Sequence, residues 1–588
     1  MRFLGNVLAT LVGLFLFCMI FFFGIVFIGA IAGSAGSSVP VKSDAVIELD
    51  ISKVTNDYGG KSRYPEFNHF EVNHDGLSNI LAAIEAAETD DKIKGISIIN
   101  NNSALGAAQS KALRDQLEKF KKSGKFIYSY ADVYTQKDYY LNSVADQIYI
   151  NPIGSMEFRG LSTEVMFFKD LQEKSGIKLE VVRHGKYKSA VEPFLQNEMS
   201  DSNREQITSL ISSVWHSLLT DISKSRNIST TRLNEIADGL LARNPEMAKQ
   251  EKLIDRIEYE DVYHSDIRKA LKLDQNAKKY NKIKILDYAK NVATTGKSAG
   301  TSDKIAIIYA QGEILSGEGD ENYIGEGSIR RALKAVREDK NVKAVVLRID
   351  SPGGSALTAD LIWREIELTR KVKPVVTSMG NLAASGGYYI ACNSNTIFAE
   401  EQTITGSIGV FGMLPNLTAL SSRIGIHTQQ VVTNKNAAGY SPFVPIDENF
   451  KAVTQEEVER VYTTFINRVA AGRDLSIDDV DKVAQGRVWS GTEALQNGLV
   501  DKIGGLDDAI AEAAKLAKIE KYKTVDYPEY DKNFQDLLAS MGVPFMKSKS
   551  EILLDELGPE AYRLLQEVKM ATKTSGVQAL MPFKLQLN

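Results

Sequence analysis

Apolar residues along most of this chain come in short runs, separated by longer amphipathic stretches. KAVVLRID (343–350) is a Val-rich run of strand length, and TADLIWREIELTRKV (358–372) then repeats its apolar positions at helical spacing. PVVTSMG (374–380) and NTIFAE (395–400) read as further strands. Strands rich in Val and Ile, alternating with helices, predict α/β units with largely parallel sheets. The first residues break this rhythm. No charge occurs from 3 to 41, and LVGLFLFCMIFFFGIVFIGAIA (11–32) is long enough to cross about 30 Å of hydrocarbon as a helix. A secretory signal has an apolar core of only about 7 to 15 residues, so the run reads as a retained anchor. The small residues of GAIAGSAGSS (29–38) would also suit a cleavage site. Arg2 precedes the span, and Lys42 and Asp44 follow it; this bias places the N-terminus in the cytoplasm and the body beyond the membrane.

The pattern also repeats. DDKIKGISIINNNS (90–103) lines up with DKNVKAVVLRIDSP (339–352) at an offset of 249, and DYYLNSVADQIYI (138–150) lines up with GYYIACNSNTIFA (387–399) at the same offset. HGKYKSAVEPF (184–194) falls on TNKNAAGYSPF (433–443), and a slip of two or three residues later relates the stretches near Ile236 and Val483. A constant offset over about a hundred positions predicts two copies of one domain. The expected organisation is an anchor at 1–41, a first repeat at 45–270, a linker at 271–302, a second repeat at 303–526 and a C-terminal extension at 527–588. The linker contains the polar stretch NVATTGKSAGTSDK, and helices are expected around SEILLDELGPEAYRLLQEVKMA (550–571).

Composition changes this picture little. With 588 residues, 43% of them hydrophobic, and a net charge of -5, the chain has ample material for several cores and no long basic tract for nucleic acid. Its two cysteines, Cys18 in the span and Cys392 far along the chain, do not suggest a structural disulfide.

Candidate chemistry gathers in the second repeat. IDSPGGS (349–355) follows a strand with a glycine pair, and AASGGYY sets Ser385 in a small-residue turn that opens a helix. Backbone amides of two such turns would suit an oxyanion. On spacing alone Ser385 is either a nucleophile or a helix cap, and SPGG either an oxyanion loop or a tight turn. A nucleophilic serine needs a base. None of the six histidines, at 69, 74, 184, 216, 264 and 427, stands in a small-residue setting. A lysine whose pKa falls through burial is the other option. The repeats point to one: Ser385 aligns with Gln136, Lys188 with Ala437, and SPGG with NSAL, so each copy lacks what the other could supply.

With YKSAVEPF, SPGGS, AASGGYY and TGSIGVFG, together with the N-terminal span, the chain resembles the bacterial signal peptide peptidase A (protease IV) family in its long, duplicated form. The resemblance implies a tandem ClpP/crotonase-like α/β fold and a serine/lysine endopeptidase that degrades signal-peptide remnants and other apolar peptides. It implies no cofactor or metal, a homotetramer, and a catalytic body on the periplasmic side of the cytoplasmic membrane. Matched by motif, Ser385 is the expected nucleophile, Lys188 the general base and Ser407 the residue that orients the lysine. Gly354, with Gly353 as its alternative, and Gly386 are the expected oxyanion donors. Two rival readings are a catalytically idle membrane scaffold and a crotonase-like acyl-CoA enzyme; the latter leaves the span and the paired motifs unexplained.

Overall fold

The computed structural model of the chain describes residues 2–34, 39–65, 70–100, 102–274, 277–295, 301–533 and 577–581. Helix Arg2–Ser34 has 33 residues and rises about 50 Å, and its stretch Gly5–Gly24 is apolar enough to cross a membrane.

The first repeat is built on a six-stranded parallel sheet. Its order is Arg256–Ile257, Gln147–Met156, Phe126–Tyr134, Ile93–Ile99, Ala45–Glu48, Lys282–Lys284. Ile93, Ile96 and Ile98 are buried with Leu113 and Leu117 of helix Ala107–Lys122, so the run of apolar residues is explained by helices that cover the strands. The second repeat has an eight-stranded sheet whose spine is Ile404–Gly406, Val375–Ala384, Val342–Ser351, Lys304–Gln311, Lys523–Tyr527, all parallel. Val488–Ser490 adds to its edge antiparallel. The strands and the helix read around KAVVLRID, TADLIWREIELTRKV, PVVTSMG and NTIFAE are Val342–Ser351, Ala356–Arg370, Val375–Ala384 and Thr396–Ala399.

The two repeats share more than strands. Helices Asp201–Arg226 and Glu448–Arg473 both have 26 residues and both end on a left-handed residue, Asn227 and Asp474, each at φ 53°. Two domains with largely parallel sheets are consistent with a duplication.

Two stretches differ from expectation. The segment 271–302 is not wholly a connection: Lys282–Lys284 pairs with Ala45–Glu48, and helix Ile285–Thr295 puts Ile285 and Tyr288 into the first core. Its polar look misled because only one face is apolar. In the segment 527–588, strand Glu529–Asp531 pairs with Lys61–Tyr64 of the first repeat, and Val577–Leu580 is a strand as well. The helices expected at 550–571 lie outside the described residues.

A third sheet joins the halves. Its order is Tyr323–Gly325, Glu313–Leu315, Gly353–Ser355, Val577–Leu580, Val410–Asn416, Lys178–His184. The last of these, here termed the lysine strand, belongs to the first repeat by sequence, yet it pairs antiparallel with Val410–Asn416, and Val182 is buried in the second core.

Candidate active site

Strand Val375–Ala384 carries GNLAAS into the molecule. Small residues at its end let backbones approach, and the chain then turns sharply at Ser385, with φ 55° and ψ −112°. That is a strained conformation for a residue with a Cβ. The Ser385 N–H donates to Gly406 O at 2.8 Å, and Tyr389 N–H donates to Ser385 O at 2.8 Å, which hold the turn from both sides. Ser385 precedes helix Gly386–Ala391, but its side chain makes no capping bond. Its hydroxyl faces a lysine instead.

Lys188 arrives from the other repeat. After the lysine strand the chain turns at Gly185, and Tyr187 N–H donates to Gln485 O at 2.9 Å. Gln206 donates from Nε2 to Tyr187 O at 3.1 Å and Ser189 Oγ at 2.9 Å, while its Oε1 accepts from Val488 N–H at 3.3 Å, so one amide ties the loop to the second repeat. The stem of Lys188 passes between two glycines. A Cβ on Gly486, at φ +81°, would fall 2.7 Å from Lys188 Cα, and one on Gly409 would fall 3.2 Å from its Cδ. Only residues without side chains leave that passage open.

At the end of this passage Lys188 Nζ lies 3.0 Å from Ser385 Oγ, 3.1 Å from Ser407 Oγ and 3.2 Å from Ser407 O. Lys188, Ser385 and Ser407 are all 0% exposed. Burial pushes the Lys188 amine well below its usual 10.5. A lowered pKa leaves the amine neutral over more of the pH range, and a neutral amine within hydrogen-bond reach of a hydroxyl can accept its proton. Ser407 is also held in a left-handed conformation, at φ 49°, with its N–H on Arg487 O at 2.7 Å. His184, the histidine nearest to Lys188 in sequence, is engaged elsewhere: its Nδ1 is 2.6 Å from a Glu459 carboxylate oxygen and its ring stacks on Tyr462 at 3.7 Å.

The glycine pair stands beside this cluster. Gly353 and Gly354 have φ of +98° and +151°, and strand Gly353–Ser355 is flanked on one side by Glu313–Leu315. Gly353 N–H donates to Ser351 Oγ at 3.2 Å. On its other side lies Val577–Leu580, here termed the tail strand, with Gly354 opposite Ala579 and Gly353 opposite Leu580. The position of a Cβ on Gly386 would be 3.2 Å from both Gly354 N and Ala579 O, and one on Gly353 would be 2.2 Å from Ala579 O and 2.7 Å from Gly386 N. The carbonyl of Ala579 therefore sits where Gly353, Gly354 and Gly386 converge. The tail strand also pairs antiparallel with Val410–Asn416, so it fills the slot between that strand and Gly353–Ser355.

All six residues singled out from sequence are thus brought together. The sequence reading missed Gly409, Gly486, Gln206 and the tail strand. The two glycines act through absent volume, and VQAL is too short to carry a periodic signal. A repeat comparison would not have found Gln206 either, since the bond that gives it its role, from Val488 N–H, crosses from one copy to the other.

A chain with two such domains and a buried serine–lysine pair has the equipment of a hydrolase, and comparison with known proteins agrees. The sequence matches Peptidase family S49 over residues 119–274 and 367–520. It is 37% identical over 450 residues to Protease 4 of Haemophilus influenzae (74% of this chain, 72% of that protein) and 34% identical over 476 residues to Protease 4 of Salmonella typhi (79% and 76%). Over 515 residues it is 33% identical to the chloroplastic serine protease SPPA of Arabidopsis thaliana (84% and 72%). The chain belongs to peptidase family S49, as a hydrolase of the protease IV type. A solved ClpP1 mutant from Listeria monocytogenes aligns with 37% of this chain and 99% of its own at 18% identity, but its TM-score of 0.25 is too low to bear on the fold.

Proposed function

We propose that the protein is a membrane-anchored serine endopeptidase in which Ser385 is the nucleophile and Lys188 the general base. The observation that carries this reading is the fully buried Lys188 amine 3.0 Å from the Ser385 hydroxyl. Neutral Lys188 takes the hydroxyl proton as Ser385 Oγ attacks a peptide carbonyl. Ser407, bonded to the same amine, fixes its direction. Amides of Gly354 and Gly386 receive the developing oxyanion, and Gly353, whose amide is turned to Ser351 Oγ, shapes the loop. Lys188 then protonates the leaving amine, and water activated by Lys188 releases the acyl group. The slot beside Gly353–Ser355 suits a peptide bound as an added strand, so the tail strand must vacate it for substrate.

The substrates of this reading are cleaved signal peptides and other short apolar peptides. The apolar helix Arg2–Ser34 anchors the body to the bilayer, on the extracytoplasmic side of the cytoplasmic membrane, and four copies enclose the sites. The ClpP/crotonase likeness belongs to the same proposal. The test is hydrolysis of a quenched apolar peptide by the full chain in detergent, wild type beside Ser385→Ala and Lys188→Ala. Both variants should lose activity by about 10³-fold or more while remaining folded. Full activity in either one would refute the dyad.

A further inference from the structure

The tail strand lies in the slot as a bound peptide would, with Ala579 O among Gly353, Gly354 and Gly386. If the peptidase reading holds, residues 577–579 mark the half of a substrate that acylates Ser385, and Leu580 and Met581 mark the start of the half that leaves. The leaving half has a definite direction. Met581 N–H donates to Pro352 O at 2.7 Å, and the Met581 side chain is buried with Ile404, Val488 and Ala384, against Leu382.

Three of the residues Met581 meets, Pro352, Leu382 and Ile404, also line a cavity of about 600 Å³. Its first-repeat lining includes Leu105, Leu161, Trp215 and Leu218, with the polar Asn56 and Lys137 among them. Such a volume falls within the usual range for a binding pocket. Gln136, the counterpart of Ser385 in the repeat alignment, also lines it. The Gln136 amide is consumed in structure: Oε1 accepts the N–H groups of Arg159 and Gly160, each at 2.9 Å, and Nε2 donates to Gly160 O at 3.0 Å. The position that holds the nucleophile in one repeat is a wall in the other.

The geometry points to this cavity as the binding site for the leaving half of the substrate, an apolar peptide segment that begins a residue or two after the bond to be cut. The first repeat then contributes to the reaction twice, through Lys188 and through the pocket that its serine-free site became. A substrate with apolar residues on both sides of the scissile bond gains from both halves of the molecule. One cut after two or three apolar residues from its end gains less.

Two substrates with the same acyl half separate this from the chemistry. One is a peptide ending in Ala coupled to an aminocoumarin, whose leaving group is the dye alone; the other is a quenched peptide with four apolar residues after the Ala. The full chain is compared with Ala107→Phe, which fills the cavity from the start of helix Ala107–Lys122, and with Leu161→Asp, which makes its wall polar. For the quenched peptide kcat/KM should fall about tenfold in both variants, through KM, while the dye amide stays within about twofold of wild type. A fall that is equal for both substrates, or absent from both, would overturn the assignment. Failure of the wild type to cut either substrate would overturn the peptidase reading itself, and this inference with it.

Discussion

Lys188 carries an amine that water would keep protonated, placed where burial opposes the charge. Because the unfolded chain binds a proton at this group that the fold does not, stability rises with pH between the lowered pKa and 10.5. Activity has the same sign under the proposed mechanism, in which the neutral amine is the base: kcat/KM should rise as pH increases through the lowered pKa, with Lys188→Arg inactive throughout because a guanidinium keeps its proton. A pH–rate profile of both proteins checks this. Ser385 carries a different burden, its φ of 55° and ψ of −112°. Ser385→Gly should abolish activity and yet raise stability by about 1 kcal/mol, read from denaturant midpoints, since glycine tolerates that backbone. At this scale Ser385, Lys188, Ser407 and the glycine pair were legible because each stands in a short, unusual motif. Gly409 and Gly486 were not, because the lysine stem they make room for comes from more than two hundred residues away.

Among the elements, strands and helices of the two repeats were readable because buried parallel strands require unbroken apolar runs. The lysine strand could be expected only as some strand; nothing local tells that it leaves its own repeat to pair with Val410–Asn416. Its position brings Lys188 to Ser385, and Gln206 holds the loop that follows. Gln206→Ala should therefore lower kcat about tenfold or more with little change in KM, as expected when a catalytic group is misplaced and substrate binding is left intact. Steady-state kinetics on the aminocoumarin amide reads that split. The linker and the extension were misjudged for a shared reason. Helix Ile285–Thr295 and the strands Glu529–Asp531 and Val577–Leu580 gain their order from partners far along the chain, not from their own pattern.

For the molecule as a whole, the question is what keeps Lys188 and Ser385, which come from different repeats, in register. Part of the answer lies at the junction, where Arg348 Nε donates to Asp57 Oδ2 at 2.6 Å with both side chains buried. The same guanidinium donates to Ser378 Oγ and Met379 O on the strand that leads to Ser385. Asp57→Asn leaves that charge without its carboxylate and should cost about 3 to 5 kcal/mol of stability, measured by chemical denaturation. Nearby, burial and then the charge of Asp57 push the Asp350 carboxyl up to about 7, and it accepts the Leu382 N–H at 2.9 Å. A raised carboxyl pKa favours the fold most at low pH, so this contribution is lost as pH climbs from about 4 to 7. The two domains were visible in the sequence as a constant offset, but their interlocking was not, since offsets describe each domain and not the contacts between them.

The claim on which the rest depends is that Lys188 of one repeat activates Ser385 of the other. The most direct measurement is the rate at which a fluorophosphonate labels the full chain across a pH series, with the modified residue located by mass spectrometry, in wild type and Lys188→Ala. Labelling is expected at Ser385, accelerating with pH through a single ionisation below 10.5, and in Lys188→Ala at a rate about 10³-fold lower and without that ionisation. Labelling of Ser385 at an unchanged rate without Lys188, or labelling of another residue, would contradict it.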